Sequence, residues 1–310
     1  MKIGKWILGG IVSGTSIAAA ASYACYRMTF SVPKKCADPY DGIDKGSFVS
    51  YKHDIRELID TVREIPYEDV YTVSEDGLRL HGKYYEKTPG APVEILCHGY
   101  RGTGYRDFCG GLQLALKRGH NALLIDQRAH GESEGKCLTF GIKERKDCRS
   151  WVNYIIERCG IDTKIILVGI SMGAATVTMA TELDMPDNVV AVIADCGYSS
   201  PEKIIRKVMK DMKYPQFLYP VVELGAKLYG HFELGEASSE EALKSSKIPV
   251  LFIHGEADDF VPCDMTKVNY EVCASKKVLV TVPEAGHGLS YLVDLDKYKG
   301  EVDKFLEEVL

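Results

Sequence analysis

A serine at position 171 stands in a local sequence of the kind that exposes a nucleophile. The pentapeptide Gly169–Gly173 (GISMG) lies between an apolar run that suits a buried strand and an apolar helical pattern. In a strand–turn–helix setting, G-x-S-x-G forms a sharp turn that presents the serine hydroxyl at the sheet edge, and its glycines let backbone segments pass closely. The alternative is a serine that only caps the helix. The pattern favours a nucleophilic Ser171.

A histidine at position 287 is the best candidate for the base, because a serine hydroxyl is a poor nucleophile until a base takes its proton. His287 lies in Glu284–Gly288 (EAGHG), directly after the last apolar run. Its flanking glycines make a loop that can bring the imidazole back over the sheet. Alone, such a histidine would suit a surface loop equally well. His98 competes as a base, but its place beside a glycine turn favours packing and loop support.

A carboxylate must then orient the imidazole and stabilise its charged form. The sequence His254–Pro262 (HGEADDFVP) follows the penultimate apolar run and offers Glu256, Asp258 and Asp259. The residue types alone leave all three open.

Two backbone N–H groups are candidates for binding the oxyanion of a tetrahedral intermediate. One belongs to Met172, the residue after the nucleophile. The other should come from the loop His98–Gly102 (HGYRG), which follows a separate apolar run, and the N–H of Tyr100 is the expected donor.

Alternating strands and helices must position these groups. The predicted strands are Val70–Val73, Leu78–Tyr85, Val93–Cys97, Ala122–Ile125, Ile165–Gly169, Val189–Ala194, Val250–His254 and Val278–Val282. The predicted helices are Tyr105–Arg118, Ile142–Arg158, Met172–Glu182, Asp264–Ala274 and Asp296–Val309. Short apolar runs suit strands buried on both faces. The alternation therefore predicts an α/β fold with a mostly parallel central sheet and helices on both faces.

The interval Ser199–Ile248 interrupts this rhythm. It contains no strand pattern, only helix-like pieces with several aromatic residues, among them Phe217 and Phe232. Because ligands in open α/β folds bind at the carboxyl edge of the sheet, we interpret the interval as a helical lid insertion that governs substrate preference. The alternative is a helical excursion without ligand contact.

The N-terminal residues form a separate part of the sequence. Trp6–Tyr26 carries no charge and is long enough to cross a hydrocarbon core of about 30 Å as a helix. Its many small residues also suit a cleaved signal peptide. We predict a membrane anchor or signal segment at 1–28, a connector with a lead-in helix at 29–66, and the catalytic domain at 67–310. The first part should determine location, either membrane-associated or secreted after cleavage, and not chemistry.

Composition argues against several other classes of protein. A net charge of −6 with no basic stripe argues against nucleic acid as a partner. The ten cysteines include no CxxC pair and no metal-ligand spacing, so we expect no metal site and mostly buried, free thiols. The proposed chemistry requires no organic cofactor.

The order and content of these motifs resemble the α/β-hydrolase superfamily, in particular bacterial membrane-anchored members of the esterase/lipase-like or prolyl-oligopeptidase-like type. The resemblance covers about residue 69 to the C-terminus and rests on Cys97–Tyr100, Asp126–Ser133, Gly169–Gly173, His254–Pro262 and Gly286–Gly288. It implies the α/β-hydrolase fold, with Asp258 as the acid, and the chain order Ser…Asp…His agrees with it. Asp195, at the end of the Val189–Ala194 strand, is the fallback acid, since some hydrolases draw it from that edge.

These features predict a serine hydrolase that cleaves carboxylic ester or thioester bonds through an acyl-enzyme, with Ser171, His287 and Asp258 as a triad. Similar eukaryotic enzymes remove acyl chains from proteins, which keeps thioesters among the expected substrates. Two alternatives remain: a serine peptidase that acts on short peptides, and a hydrolase-fold module that binds without catalysis.

Overall fold

An eight-stranded sheet forms the centre of the protein. A computed structural model describes residues 18–33 and 38–310. The strands are β1 (Glu68–Val73), β2 (Arg79–Tyr85), β3 (Val93–Cys97), β4 (Asn121–Ile125), β5 (Ile165–Ile170), β6 (Val189–Asp195), β7 (Val250–Gly255) and β8 (Lys277–Val282). Their order is β1-β2-β4-β3-β5-β6-β7-β8. The β1–β2 and β2–β4 pairs are antiparallel, and all other pairs are parallel. The eight predicted strands and the mostly parallel sheet are confirmed.

Helices connect the strands. They are α1 (residues 18–30), α2 (Lys52–Arg63), α3 (Gly104–Asp107), α4 (Gly111–Lys117), α5 (Glu144–Cys159), α6 (Met172–Ala180), α7 (Pro201–Asp211), α8 (Tyr219–Gly225), α9 (Ser239–Leu243), α10 (Cys263–Val272), α11 (Ser290–Val293) and α12 (Leu295–Val309). The 3₁₀ turns Gly46–Tyr51 and Gln216–Leu218 precede α2 and α8, and the π-helical turn Ala226–Gly230 extends α8.

The helix predicted over Tyr105–Arg118 is instead divided into α3 and α4. Thr103 caps α3 by accepting a hydrogen bond from the Arg106 N–H. The interruption lies at Phe108–Gly110, where a Cβ added to Gly110 would overlap the ring of Tyr291. The break therefore lets an aromatic ring from the C-terminal part of the chain pack against the backbone.

Each face of the sheet carries its own hydrophobic core. On one face, Leu96, Val168 and Ile193 of the central strands pack with residues of α2, α4 and α12. On the other, the alternate strand residues pack with α5, α6 and α10. Successive side chains of a strand point to opposite faces of the sheet, so each fully buried strand contributes apolar residues to both cores. Helices on both sheet faces are confirmed.

A third core, which we call the cap cluster, contains Tyr26, Phe30, Phe140, Tyr219 and Phe232. It joins α1 to the interval Ser199–Ile248. The ring of Phe30, fully buried, lies 5.8 Å from that of Phe140 and 5.2 Å from that of Phe232, both edge-on. The end of α1 is therefore packed into the body of the protein.

The predicted anchor Trp6–Tyr26 falls largely on residues 1–17, which lie outside the described residues. Within residues 18–33 and 38–310, the helices are all too short or too polar to cross a bilayer. The structure also differs from the expected separation of the N-terminal segment from the rest of the chain, since Tyr26 and Phe30 of α1 are buried in the cap cluster.

Candidate active site

Ser171 occupies a strained turn between β5 and α6. Its φ of 58° lies in the left-handed region, which non-glycine residues adopt only when the surroundings impose it. A Cβ added to Gly169 would overlap the Gly173 carbonyl, and one added to Gly173 would overlap the Cys97 carbonyl. The two glycines therefore permit the close passage of α6 over β3 and β5 that turns Ser171 outward.

His287 reaches Ser171 from the loop after β8. Its Nε2 lies 2.9 Å from the Ser171 Oγ, and its Nδ1 lies 2.7 Å from the Asp258 Oδ2. Gly288, with φ of 65°, provides the left-handed backbone conformation next to it. One nitrogen can therefore accept the serine proton while the other donates to a carboxylate.

Asp258 is buried at the end of β7, whereas its neighbour Asp259 is exposed. Its Oδ1 accepts hydrogen bonds from the backbone N–H groups of Phe260 and Val261, at 2.9 and 2.8 Å. Burial by itself would raise the pKa of Asp258, but hydrogen bonds from His254 and His287 outweigh it and hold the pKa well below its ordinary value. Asp258 is therefore ionised next to the imidazole.

His254 contacts the Asp258 carboxylate, a role that the sequence did not predict. Its Nε2 lies 3.1 Å from the Asp258 Oδ2 and 2.9 Å from the Val261 carbonyl, and its Nδ1 lies 2.7 Å from the Thr266 Oγ1. Since both neighbours of Nε2 are acceptors, that nitrogen carries a proton. The signal was present in the histidine that opens the sequence His254–Pro262, four residues before the acid.

The loop with Tyr100 runs beside the nucleophile. A Cβ added to Gly99 would lie 3.2 Å from the Ser171 Cβ, and the Gly99 N–H donates to Asp107 Oδ2 at 2.7 Å. Met172 is the first residue of α6, where N–H groups have no partner within the helix. The two chain segments expected to supply the oxyanion donors thus both lie next to Ser171.

The side chains of the competing candidates His98 and Asp195 have other partners. His98 is fully buried, and its Nε2 accepts a hydrogen bond from the Gln127 N–H at 3.1 Å while Nδ1 contacts the Gly99 carbonyl at 2.9 Å. Asp195 is also buried, and burial raises its pKa to about 6, although the Tyr298 hydroxyl bonds to it. Its Oδ1 has no hydrogen-bond partner among the described residues. Neither residue contacts Ser171 through its side chain.

A cavity of about 440 Å³ opens at Ser171 and His287. It extends between the sheet and the helices α4 and α12, on the face that carries Leu96, Val168 and Ile193. No residue of Ser199–Ile248 lines it. Phe232 is buried in the cap cluster, and Phe217 is 78% exposed. The expected placement of these aromatics over the site is wrong, because Phe232 packs on α1 and Phe217 faces solvent.

Comparison with known proteins identifies the fold on which this site is built. A family model described as alpha/beta hydrolase fold matches residues 92–223. The uncharacterized protein YqkD of Bacillus subtilis (strain 168) is 29% identical over 217 residues, which are 69% of this chain and 71% of YqkD. The uncharacterized membrane protein YNL320W of Saccharomyces cerevisiae is 24% identical over 303 residues, which are 94% of this chain and 93% of the yeast protein.

Among solved structures, the esterase Pf2001 of Pyrococcus furiosus superposes with a TM-score of 0.63 and 24% sequence identity. The match covers 82% of this chain and 93% of the esterase chain. At this identity the likeness establishes the fold, and the predicted fold class is confirmed.

Proposed function

Since this chain has the α/β-hydrolase fold, we propose that it is a serine hydrolase that cleaves carboxylic ester or thioester bonds through an acyl-enzyme. The observation that carries the proposal is the continuous contact from Ser171 Oγ through His287 to Asp258, at 2.9 and 2.7 Å. This arrangement supplies a nucleophile, a base and an orienting carboxylate in one chain of hydrogen bonds.

The reaction proceeds in two halves. Ser171 Oγ attacks the substrate carbonyl while His287 Nε2 takes its proton, and the Asp258 carboxylate stabilises the resulting imidazolium. The N–H groups of Tyr100 and Met172 bind the oxyanion, and His287 returns the proton to the leaving group. Water, activated by the same imidazole, then releases the acid.

The N-terminal segment associates the enzyme with a membrane. The uncharged residues of Trp6–Tyr26 that precede α1 are the part proposed for this role, since Tyr26 itself is buried in the cap cluster. The similarity to a yeast membrane protein over nearly the whole chain supports the proposal. In domain terms, residues 67–310 form the catalytic unit, which includes the helices of 199–248, and α1 packs on those helices.

Substitution of the nucleophile tests the proposal. Ser171→Ala should abolish p-nitrophenyl acetate hydrolysis and labelling by a fluorophosphonate probe, with kcat reduced by about 10⁴-fold or more. Ser245→Ala, an exposed serine near α9, is the matched control and should behave as wild type. Substantial activity in Ser171→Ala would refute the mechanism. Exclusive cleavage of an aminoacyl p-nitroanilide, without ester or thioester turnover, would move the enzyme to the peptidases.

A further inference from the structure

The residues that line the cavity at Ser171 follow one face of the sheet from the site into the interior. Strand pairing matches Leu96 with Val168, and Val168 with Ile193, so these three apolar side chains lie at one depth. At the mouth, Ile170 pairs with Asp195. Toward the interior, Glu94 pairs with Ile166, four residues below Ile170. At ~3.3 Å per residue the lining residues therefore span about 13 Å along the strands.

The helix side of the channel follows the same order. Helix α4 begins at Gly111 near the mouth and continues through Leu114 to its C-cap residue Arg118 in the interior. All three residues line the cavity. On α12, Tyr298 bonds to Asp195 at the mouth level, and Val302 lies one turn below it. Each depth therefore has residues from both the sheet and the helices.

The chemical character changes with depth. The middle of the channel is apolar, with Leu96, Val168 and Leu114 in its wall. Its floor is ionic: Arg118 Nη1 lies 3.6 Å from Glu94 Oε1, and Arg118 Nε lies 2.6 Å from Asp303 Oδ1. A chain that reaches this floor would have to enter a charged network, which is unfavourable for hydrocarbon.

We propose that this channel binds the acyl chain of the substrate, with its tail directed inward to Arg118, and that it selects medium-length chains of about eight to twelve carbons. The proposal rests on the proposed function, because the carbonyl must lie at Ser171. The volume of about 440 Å³ falls within the range of small-molecule sites, about 300–1,000 Å³. The leaving group remains at the mouth.

Two substitutions at different depths test this channel. Val168→Phe fills its middle, and Val302→Phe fills it near the floor. We measure kcat/KM on p-nitrophenyl acetate, butyrate, octanoate, decanoate and palmitate. Wild type should be most efficient on octanoate or decanoate. Val168→Phe should lower kcat/KM on both medium chains roughly 100-fold more than on acetate, since each methylene left outside an apolar pocket costs several-fold. Val302→Phe should lower kcat/KM on decanoate more than on octanoate, and on octanoate more than on butyrate.

Controls distinguish a failure of the channel proposal from a failure of the proposed serine mechanism. Phe217→Ala changes an exposed aromatic of 199–248 and should leave the chain-length profile unchanged. If wild type hydrolyses acetate through Ser171 but shows no preference for medium chains, the channel proposal fails and the serine mechanism stands. A structure of the wild-type enzyme labelled with a decyl fluorophosphonate decides the matter without variants. A decyl chain along Val168 supports the proposal, and one on the surface of 199–248 overturns it.

A second, independent observation concerns the contact between α1 and the loop that carries Tyr100. The Tyr100 hydroxyl donates to the Thr29 carbonyl at 2.9 Å. Arg101 Nε donates to the Ser31 carbonyl at 2.9 Å, and its Nη2 donates to the Met28 carbonyl at 2.7 Å. The last carbonyls of a helix have no partner within it and attract positive charge. Arg101 is itself held in a left-handed conformation, φ 49°.

We infer that Tyr100 and Arg101 are positioning residues through which α1 fixes the oxyanion-binding loop. The other side of α1 is held by the helices of 199–248, where the Tyr229 hydroxyl donates to the Ala19 carbonyl at 3.0 Å. The loop thus depends on a helix that has its own buried contacts. This inference also rests on the proposed function, because it assigns the Tyr100 N–H to the oxyanion.

Loss of these bonds should reduce kcat without weakening substrate binding. Arg101→Met and Tyr100→Phe should each lower kcat per fluorophosphonate-titrated site about 5–30-fold, with KM changed less than 2-fold, because oxyanion contacts act in the transition state. Arg101→Lys should recover part of the loss. Arg27→Met, on an exposed position of α1, is the control. Unchanged kcat per titrated site in both variants, whatever their melting temperatures, would overturn the inference.

Discussion

His254 Nε2 lies 3.1 Å from Asp258 Oδ2, the same oxygen that accepts the hydrogen bond from His287 at 2.7 Å. The carboxylate therefore sits between two imidazoles, and two backbone N–H groups bind its other oxygen. With every oxygen engaged, Asp258 has no freedom to rotate away from His287. Its alignment depends on a residue that never contacts Ser171.

Removal of His254 should therefore slow catalysis. We expect His254→Ala to lower kcat by about 10–100-fold, because a hydrogen bond to a buried charge contributes about 1.5–3 kcal/mol. His53→Ala, at an exposed position in α2, is the control. Esterase assays with titrated active sites measure the effect. A lower melting temperature with unchanged kcat would limit His254 to a structural role.

Substitution of the three candidate acids should change kcat to very different extents. Asp258→Asn should reduce kcat by ~10³–10⁴-fold, because an amide stabilises the wrong imidazole tautomer. Asp259→Asn should change kcat little, since that side chain is exposed. Asp195→Asn should also retain activity. A large loss at Asp195 together with a small one at Asp258 would reassign the acid.

The same Asp195→Asn substitution should stabilise the protein in a pH-dependent way. Burial raises the pKa of Asp195 to about 6, above the value of about 3.9 of an unfolded aspartate. The folded wild type therefore holds a proton that the unfolded chain releases, and its free energy of unfolding falls as pH rises from about 4 to about 6.

Asparagine removes that decline, so the variant's advantage should be near zero at pH 4 and reach about 2–3 kcal/mol above pH 6. Urea unfolding of both proteins across this range measures it, with Asp259→Asn as the exposed control. An advantage that is constant with pH would show that Asp195 does not titrate in this range.

Two glycine substitutions should have opposite effects. Gly173→Ala should lower the free energy of unfolding by about 3 kcal/mol or more, because its Cβ would overlap the carbonyl of Cys97. Gly300→Ala, exposed within α12 with open space around it, should raise that free energy by about 0.5–1 kcal/mol. Thermal unfolding measures both. A tolerated Gly173→Ala would contradict the close packing of α6 on β3.

Truncation at two different positions should distinguish the role of the residues before α1 from the role of α1 itself. A protein that begins at Ala18 keeps α1 and should retain kcat on water-soluble esters. One that begins at Ser47 loses the partners of Tyr100 and Arg101 and exposes the cap cluster, so we expect about 10-fold lower kcat and aggregation. Full activity of a soluble Ser47 protein would restore the original expectation that this region serves location alone.

Features encoded in short stretches of sequence were predictable. Each buried strand is an apolar run, and Ser171 and His287 each lie in a turn whose glycines mark it. The local residues left Glu256, Asp258 and Asp259 open as the acid, and only the resemblance to the α/β-hydrolases favoured Asp258. Features that depend on distant packing were not. Nothing local in Phe232 indicates that its ring meets Phe30 rather than a ligand. Likewise, the channel along Val168 exists only because helices from opposite ends of the chain meet the sheet there.

The docking of α1 also has a consequence for biosynthesis. Ala19 and its partner Tyr229 are 210 residues apart, so at about 5–20 residues per second a ribosome delivers the partner roughly 10–40 s after the helix. Throughout that interval Tyr26 and Phe30 lack the part of the cap cluster that Tyr219 and Phe232 supply. Nascent chains therefore carry an incompletely covered aromatic helix, a substrate for chaperones or for the insertion machinery of a membrane, until translation has passed Phe232.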